Sequence, residues 1–172
     1  MENISYASVL GSLMYAMLFT RPDIFYAVGV LSRYQKNPGV MHWNQIMHVL
    51  KYIRATLDYC LCFNRDDLQL QGFTDADRNS TSGYLFTLAG GAISWKSKMQ
   101  ESVALSSMEA EYIAASEAVK EAVWLKDFLS TLKIVESVNK PITVHCDNQA
   151  ALKVSRDPMF HSKSKHIEGR YK

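Results

Sequence analysis

The spacing of apolar and polar residues changes once along this chain, near residue 57. Before that point it is helical. Tyr6 to Phe19 is rich in Ala, Leu and Met, with apolar residues around most of the circumference, which predicts a helix buried on more than one side. Thr20-Arg21-Pro22-Asp23 interrupts the pattern: Thr20 or Asp23 can cap, and Pro22 suits the first turn of a new helix. Ile24 to Tyr34 then places Ile24, Ala27, Val28 and Leu31 on one stripe, and Asn37-Pro38-Gly39 stops it. His42 to Ala55 predicts a third helix, with Trp43, Ile46, Met47 and Leu50 in phase. Met14, Met17, Met41, Met47 and the aromatic residues of these helices read as core. Residues 1–57 are therefore expected to form a small all-helical unit.

Beyond residue 57 the period becomes two. Tyr59 to Phe63 alternates and predicts a strand, followed by a turn at Asn64 to Asp67. Leu68 to Asp77, Tyr84 to Leu88 and Ala92 to Lys96 predict three strands. They are joined by the polar turn Arg78 to Gly83 and by Ala89-Gly90-Gly91, which makes an antiparallel meander. Glu101 to Leu105 suggests a short extension. Ser106 or Ser107 then caps a helix running toward Leu132, with a break expected near Lys120. Ile142 to Cys146 predicts a strand, and Asn148 caps a short helix to about Ser155, which Asp157-Pro158 breaks. Trp95 and Trp124 read as core.

Composition narrows the picture only a little. The 172 residues suit one domain, or one domain with an appended subdomain, and 48% apolar with 21% charged residues is ordinary for a globular protein. A net charge of +2 supplies no global field for nucleic acid. Lys163, Lys165, Arg170 and Lys172 gather near the end against Glu168, either as a solvated tail or as a cluster able to meet phosphates. His161 and His166 in the same stretch read as exposed polar residues. Cys60, Cys62 and Cys146 are odd in number and contain no C-x-x-C, so they read as reduced core residues of an intracellular protein, cytoplasmic or nuclear. No basic n-region with a cleavage site opens the chain, and the apolar Ile4 to Phe19 is too short and interrupted to suit a bilayer, so no membrane association is expected.

The chemistry lies in acids where apolar residues belong. Gly72-Phe73-Thr74-Asp75-Ala76-Asp77 delivers two carboxylates at spacing two, on the strand face of Phe73, read here as a core aromatic. Such acids are expensive unless solvated, paired or metal-bound. On the long helix, Met108, Ala115, Ala118, Ala122, Leu125 and Leu129 fall within about 60° of Glu111, so Glu111 points to the core while Glu109 points away. The plainer account of Glu111 is a partly exposed carboxylate favoured by the helix N-terminal dipole. Asp147 ends the strand Ile142 to Cys146 before a helix start, where it would serve either as an extra cap or at a ligand-binding strand end. Three acids on three elements that a mixed sheet can bring together suit a hard divalent cation with oxygen ligands. Phosphoryl hydrolysis, with two metals clamping the scissile phosphate, is a reaction that such a set of acids suits.

Several longer motifs make this specific. Gly72-Phe-Thr-Asp75, Ser106-Ser-Met-Glu-Ala-Glu111-Tyr and His145-Cys-Asp147-Asn-Gln-Ala-Ala resemble the ribonuclease H domain of copia-type retrotransposon Pol polyproteins. Ser80-Thr-Ser-Gly-Tyr, Ile93-Ser-Trp-Lys-Ser-Lys and Phe160-His-Ser-Lys-Ser-Lys-His-Ile-Glu add to the match. So do Gly11-Ser-Leu-Met-Tyr, Thr20-Arg-Pro-Asp-Ile and His42-Trp in the helical unit, which in that family connects the reverse transcriptase to the ribonuclease H domain. The resemblance implies an α+β fold: a mixed sheet, a three-strand antiparallel meander plus a parallel strand, flanked by helices over 58–172, behind the connector 1–57. It implies Mg²⁺ or Mn²⁺ held by Asp75, Glu111 and Asp147, cleavage of the RNA strand of RNA–DNA hybrids, and the reverse transcriptase portion of the parent polyprotein as a partner. RNA would be told from DNA by its 2′-hydroxyls.

Two departures stand out. The family's segment after Thr-Asp-Ala-Asp is longer, whereas here Asp77 runs straight into Arg78-Asn-Ser-Thr. The family's last strand and helix, with a fourth acid, are not matched, so a truncated domain is expected. The alternative is an inactive remnant acting as a binding or effector-like protein.

Overall fold

The computed structural model describes residues 5–64, 68–77, 81–101, 104–133 and 141–156. The chain divides into two compact units, Met1–Cys62 and Phe63–Lys172. The basic tail, with His161, His166 and Glu168, and the tip of the first hairpin lie outside the described residues.

The first unit holds three helices, α1 (Tyr6–Phe19), α2 (Phe25–Ser32) and α3 (Val40–Ala55), with a 3-10 turn, Pro22–Ile24, leading into α2. Leu10, Leu13, Ile24, Val28, Leu31 and Ile46 form its core, and the Tyr6 hydroxyl donates to the Leu31 carbonyl at 2.9 Å. At the start of α3 the usual acidic cap is replaced: His42 Nδ1 accepts from the Gly39 backbone N–H at 2.9 Å. The polar anchor is Arg21, whose Nε and Nη2 grip the Asp23 carboxylate at 2.9 and 2.7 Å while Nη2 also donates to Thr56 Oγ1 at 2.6 Å. Tyr52 completes the network through its hydroxyl on Asp23. The Arg21 guanidinium holds the Asp23 carboxyl below its usual range, so this pair stabilises the fold at neutral pH and weakens as Asp23 protonates in acid. Asp23 therefore serves as an ion-pair partner rather than as a cap.

A core this small cannot bury every apolar residue of three helices. Met14, Met17 and Trp43 pack against it, but Met41, Met47, Tyr15, Phe19, Tyr26, Tyr34 and Tyr52 are exposed, contrary to the core expectation for them. The strand expected over Tyr59 to Phe63 is absent, because that stretch has no ladder partner among the described residues. Cys60 and Cys62 are accordingly exposed rather than core, with their sulfurs 3.4 Å apart.

The second unit is a four-stranded mixed sheet covered by helices. Its elements are β1 (Gln71–Ala76), β2 (Thr81–Leu88), β3 (Gly91–Met99), α4 (Ser107–Leu132), β4 (Thr143–Cys146) and α5 (Gln149–Arg156). The strand order is β3-β2-β1-β4, with the meander antiparallel and β4 added parallel to β1. This is the α+β arrangement the motifs imply.

The loop Ala89-Gly90 between β2 and β3 has positive φ at both positions, 56° and 77°, as two-residue hairpins prefer. An alanine is strained there, so Ala89→Gly is expected to stabilise the chain by about 0.5 kcal/mol after the entropy of the added glycine is subtracted. A higher urea midpoint at unchanged slope would show it.

Alternation along β1 buries Gly72 and Thr74 and turns Phe73 and Asp75 outward. The inward face meets α4 through a core of Phe86, Ala118, Ala122 and Leu125, with Leu70, Tyr84, Ile93, Ile142 and Val144 around it. The alanines of α4 let helix and sheet approach closely. Gly72, in register with Phe86, leaves room for its ring. Across the outward face, Trp95, Leu85, Phe73 and His145 stand in direct cross-strand register, and the Phe73 and His145 rings stack with centroids 4.9 Å apart. Phe73 is thus 41% exposed on the sheet's other side, not a core aromatic. Trp124, expected in the core, is exposed and stacks on Phe128, whereas Trp95 is half-buried. The helix α4 also runs unbroken past Lys120.

Candidate metal centre

The register of the parallel pair builds the site. Thr74 lies opposite Cys146, so Asp75 and Asp147 follow at matching heights where β1 and β4 end. Glu111 comes down on them from the second turn of α4. The start of that helix is fixed at two points. The Ser106 hydroxyl accepts from the Glu109 backbone N–H at 3.1 Å, and the Glu109 carboxylate accepts from the Leu105 N–H at 2.8 Å. Gln100, buried at the end of β3, donates from Nε2 to Ser82 Oγ at 2.7 Å and to the Ala110 carbonyl at 2.8 Å. One amide therefore ties the sheet to the residue just before Glu111.

Two of these acids have a plainer account, and the structure bears on both. Glu111 is 6% exposed, so it is not a half-solvated carboxylate resting on a helix dipole. Asp147 is not needed as a cap, because Asn148 Oδ1 accepts from the Ala150 and Ala151 N–H groups at 2.9 and 3.1 Å. The neighbouring acid Asp77 has a structural role. Its Oδ1 accepts from the Thr81 N–H at 2.9 Å and closes the first hairpin.

Glu111, Cys146 and Asp147 each offer one ligand atom, all within 4.8 Å of one another. Asp75 stands outside this trio, but its charge reaches both Glu111 and Cys146. Burial raises the Glu111 carboxyl above its ordinary range. The charges of Asp147 and then Asp75 raise it further, against a hydrogen bond from the Ala76 backbone. Burial likewise pushes the Cys146 thiol up, and the charges of Glu111, Asp147 and Asp75 act in the same direction, against a hydrogen bond with the Asn148 backbone. The charges of Asp147 and Asp75 therefore both bear on the buried Glu111.

One observation tests whether a cation suits this site. Oε2 of Glu111 is buried without a hydrogen-bond partner. A buried carboxylate oxygen left unpaired beside two further acids is an arrangement that a positive charge would stabilise. Glu111 and Asp147 offer oxygen donors of the kind a hard divalent ion takes, and Asp75, outside the trio, adds its charge to Glu111.

Cys146 and Gln100 are not legible in the sequence as parts of this neighbourhood. Cys146 looks like any small core residue until the β1–β4 register is known. Gln100 lies in no motif, and only its two hydrogen bonds reveal it.

No helix among the described residues is long and apolar enough to cross a membrane. No family model matches the chain, and no solved structure matches it. Curated relatives do. The chain is 51% identical, over 99% of its length, to the retrovirus-related Pol polyprotein from transposon TNT 1-94 of Nicotiana tabacum, covering 13% of that protein. It is 38% identical over 94% of its length to the retrovirus-related Pol polyprotein from transposon RE2 of Arabidopsis thaliana, covering 12% of it. It is also 50% identical over 73% of its length to the secreted RxLR effector protein 161 of Plasmopara viticola, covering 94% of that protein. The chain thus spans about an eighth of the Pol polyproteins it matches, and it belongs to the family of copia-type, retrovirus-related Pol polyproteins of transposons.

Proposed function

We propose that the sheet-bearing unit is a ribonuclease H domain that hydrolyses the RNA strand of RNA–DNA hybrids, using Mg²⁺ or Mn²⁺ held by Asp75, Glu111 and Asp147. In a parent polyprotein the reverse transcriptase portion would be its partner. The observation that carries the reading is the unpaired, buried Oε2 of Glu111 above two acids brought level by the Thr74–Cys146 register. A divalent pair in such a site supplies an activated hydroxide and neutralises the leaving oxygen. The protein supplies position. The ends of β1 and β4 fix Asp75 and Asp147, and Ser106, Glu109 and Gln100 fix the turn that carries Glu111.

The test is cleavage of a labelled RNA–DNA hybrid by the purified chain with Mg²⁺ or Mn²⁺, beside Asp75→Asn. Loss of an outer partner of a metal ligand costs about 10–100-fold, so loss of a ligand itself should exceed about a hundredfold. Equal traces of cleavage in both proteins would defeat the proposal.

A second reading has one observation of its own. The shared sequence makes up nearly all of the Plasmopara viticola protein, whose name describes a secreted effector. A non-catalytic, effector-like binding protein would follow if the folded wild-type chain cleaves no hybrid with either cation.

A further inference from the structure

We propose that Glu111, Cys146 and Asp147 form a site for a thiophilic divalent cation of the zinc and cadmium type, overlapping the all-oxygen set through its two shared carboxylates. The proposal deepens the nuclease reading and rests on it for the claim that a hard cation uses the same two acids.

Geometry separates the two sets. Asp75 belongs to the outward sheet face with Phe73, whereas Cys146 pairs with the buried Thr74 and faces α4. Glu111 reaches Cys146 from α4, and Asp147 follows Cys146 directly in the chain. Adding Asp75 gives three hard oxygen donors; adding Cys146 gives two oxygens and one sulfur. Soft thiolate selects zinc-like ions over magnesium, and three protein donors with an open position is the pattern of accessible zinc sites. The three ligand atoms already lie within 4.8 Å of one another. Around a tetrahedral ion with bonds of about 2.0–2.3 Å, donors stand about 3.5 Å apart, within reach of small side-chain rotations. The second observation is Glu111 itself, 6% exposed with Oε2 unpartnered, a donor already desolvated for a cation to take up. Binding releases the thiol proton to solvent as the sulfur–metal bond forms, and no electrons are transferred.

Cadmium alone is the probe, because a thiolate–cadmium bond gives a charge-transfer band in the ultraviolet, read as a difference spectrum against the metal-free chain. The exposed Cys60 and Cys62 would bind it too, so the parent is the full chain carrying Cys60→Ser and Cys62→Ser. The expected result is one cadmium ion per chain, with a band abolished by Cys146→Ser. Affinity should fall by about tenfold or more in Glu111→Gln and Asp147→Asn, and by clearly less in Asp75→Asn, whose charge reaches Glu111 and Cys146 but which offers no ligand atom to the trio. An unchanged affinity in Glu111→Gln and Asp147→Asn would mean that the thiol binds alone, and would overturn the proposal, as would a parent without the band. Comparing the parent with Glu111→Gln keeps the test valid even if Cys146→Ser fails to fold. Absence of hybrid cleavage by wild type would defeat the nuclease reading and leave the cadmium result standing. Cadmium binding indifferent to millimolar Mg²⁺ would overturn the shared-carboxylate claim.

Discussion

Glu111→Gln is expected to leave the chain more stable and the site inert. The carboxyl is buried, one of its oxygens has no partner, and Asp147 and Asp75 add to the burial that raises its pKa above the ordinary 4.5. An acid whose pKa is raised by folding binds its proton more tightly in the native state. Stability therefore falls as pH climbs from about the unfolded value through the folded one, and stays low above it. A glutamine has no such titration, and its amide can donate where the carboxylate repels. In metal-free buffer the two proteins should converge as pH falls below the ordinary glutamate range. The variant should lead by about 1 kcal/mol at pH 7, the scale of one unsatisfied buried group. If the site holds Mg²⁺ as proposed, the ion should raise the melting temperature of the wild type and do so far less in the variant. Hybrid cleavage should fall by more than about a hundredfold. A variant less stable than wild type at pH 7 would show that Glu111 is a structural residue. Stability given up for a strained site is a common signature of function.

Gly72→Ala is expected to have the largest effect on the fold. A Cβ at Gly72 would lie 2.5 Å from Phe86 Cε1 and 2.9 Å from Cζ, and Phe86 is fully buried. The ring cannot swing away, since Ala118, Ala122 and Leu125 enclose it, so either β1 separates from β2 or the core shifts. Overpacking of this kind costs about 1–3 kcal/mol. Urea unfolding should show that loss, and Phe86→Leu placed on top of Gly72→Ala should recover part of it. The pair would then be less destabilising than the sum of the single changes, as for residues in contact. Additive losses would mean the two sites do not interact. Because Asp75 lies three residues along the same strand, cleavage should fall as well.

Much of this arrangement is visible in the sequence, for identifiable reasons. The helix α4 announces itself through a long alanine-rich stripe, and the same periodicity turns Glu111 inward and Glu109 outward. The meander shows itself through its turns. What escapes is whatever depends on a neighbour. Alternation in Tyr59 to Phe63 is real, but a strand exists only in a ladder, and among the described residues it has none. Phe73 looks like a core residue because aromatics usually are. Only the sheet's covering by α4 decides that Gly72 and Thr74 face inward and Phe73 outward. The apolar surplus of the three N-terminal helices likewise exceeds what one small core can bury. For the candidate site, the acids can be read from motifs, but Cys146 enters through strand register alone.

The parallel pairing of β1 with β4 also has a temporal meaning. These two strands are separated in the chain by the rest of the meander and by all of α4, so their closure is among the most non-local events in this unit. Non-local pairings form late and slowly. During synthesis the hairpins can zip and the long helix can dock while β4 is still unmade. Asp147 would join Asp75 and Glu111 only when that strand arrives, so a nascent chain could assemble the proposed site only after β4 has paired with β1.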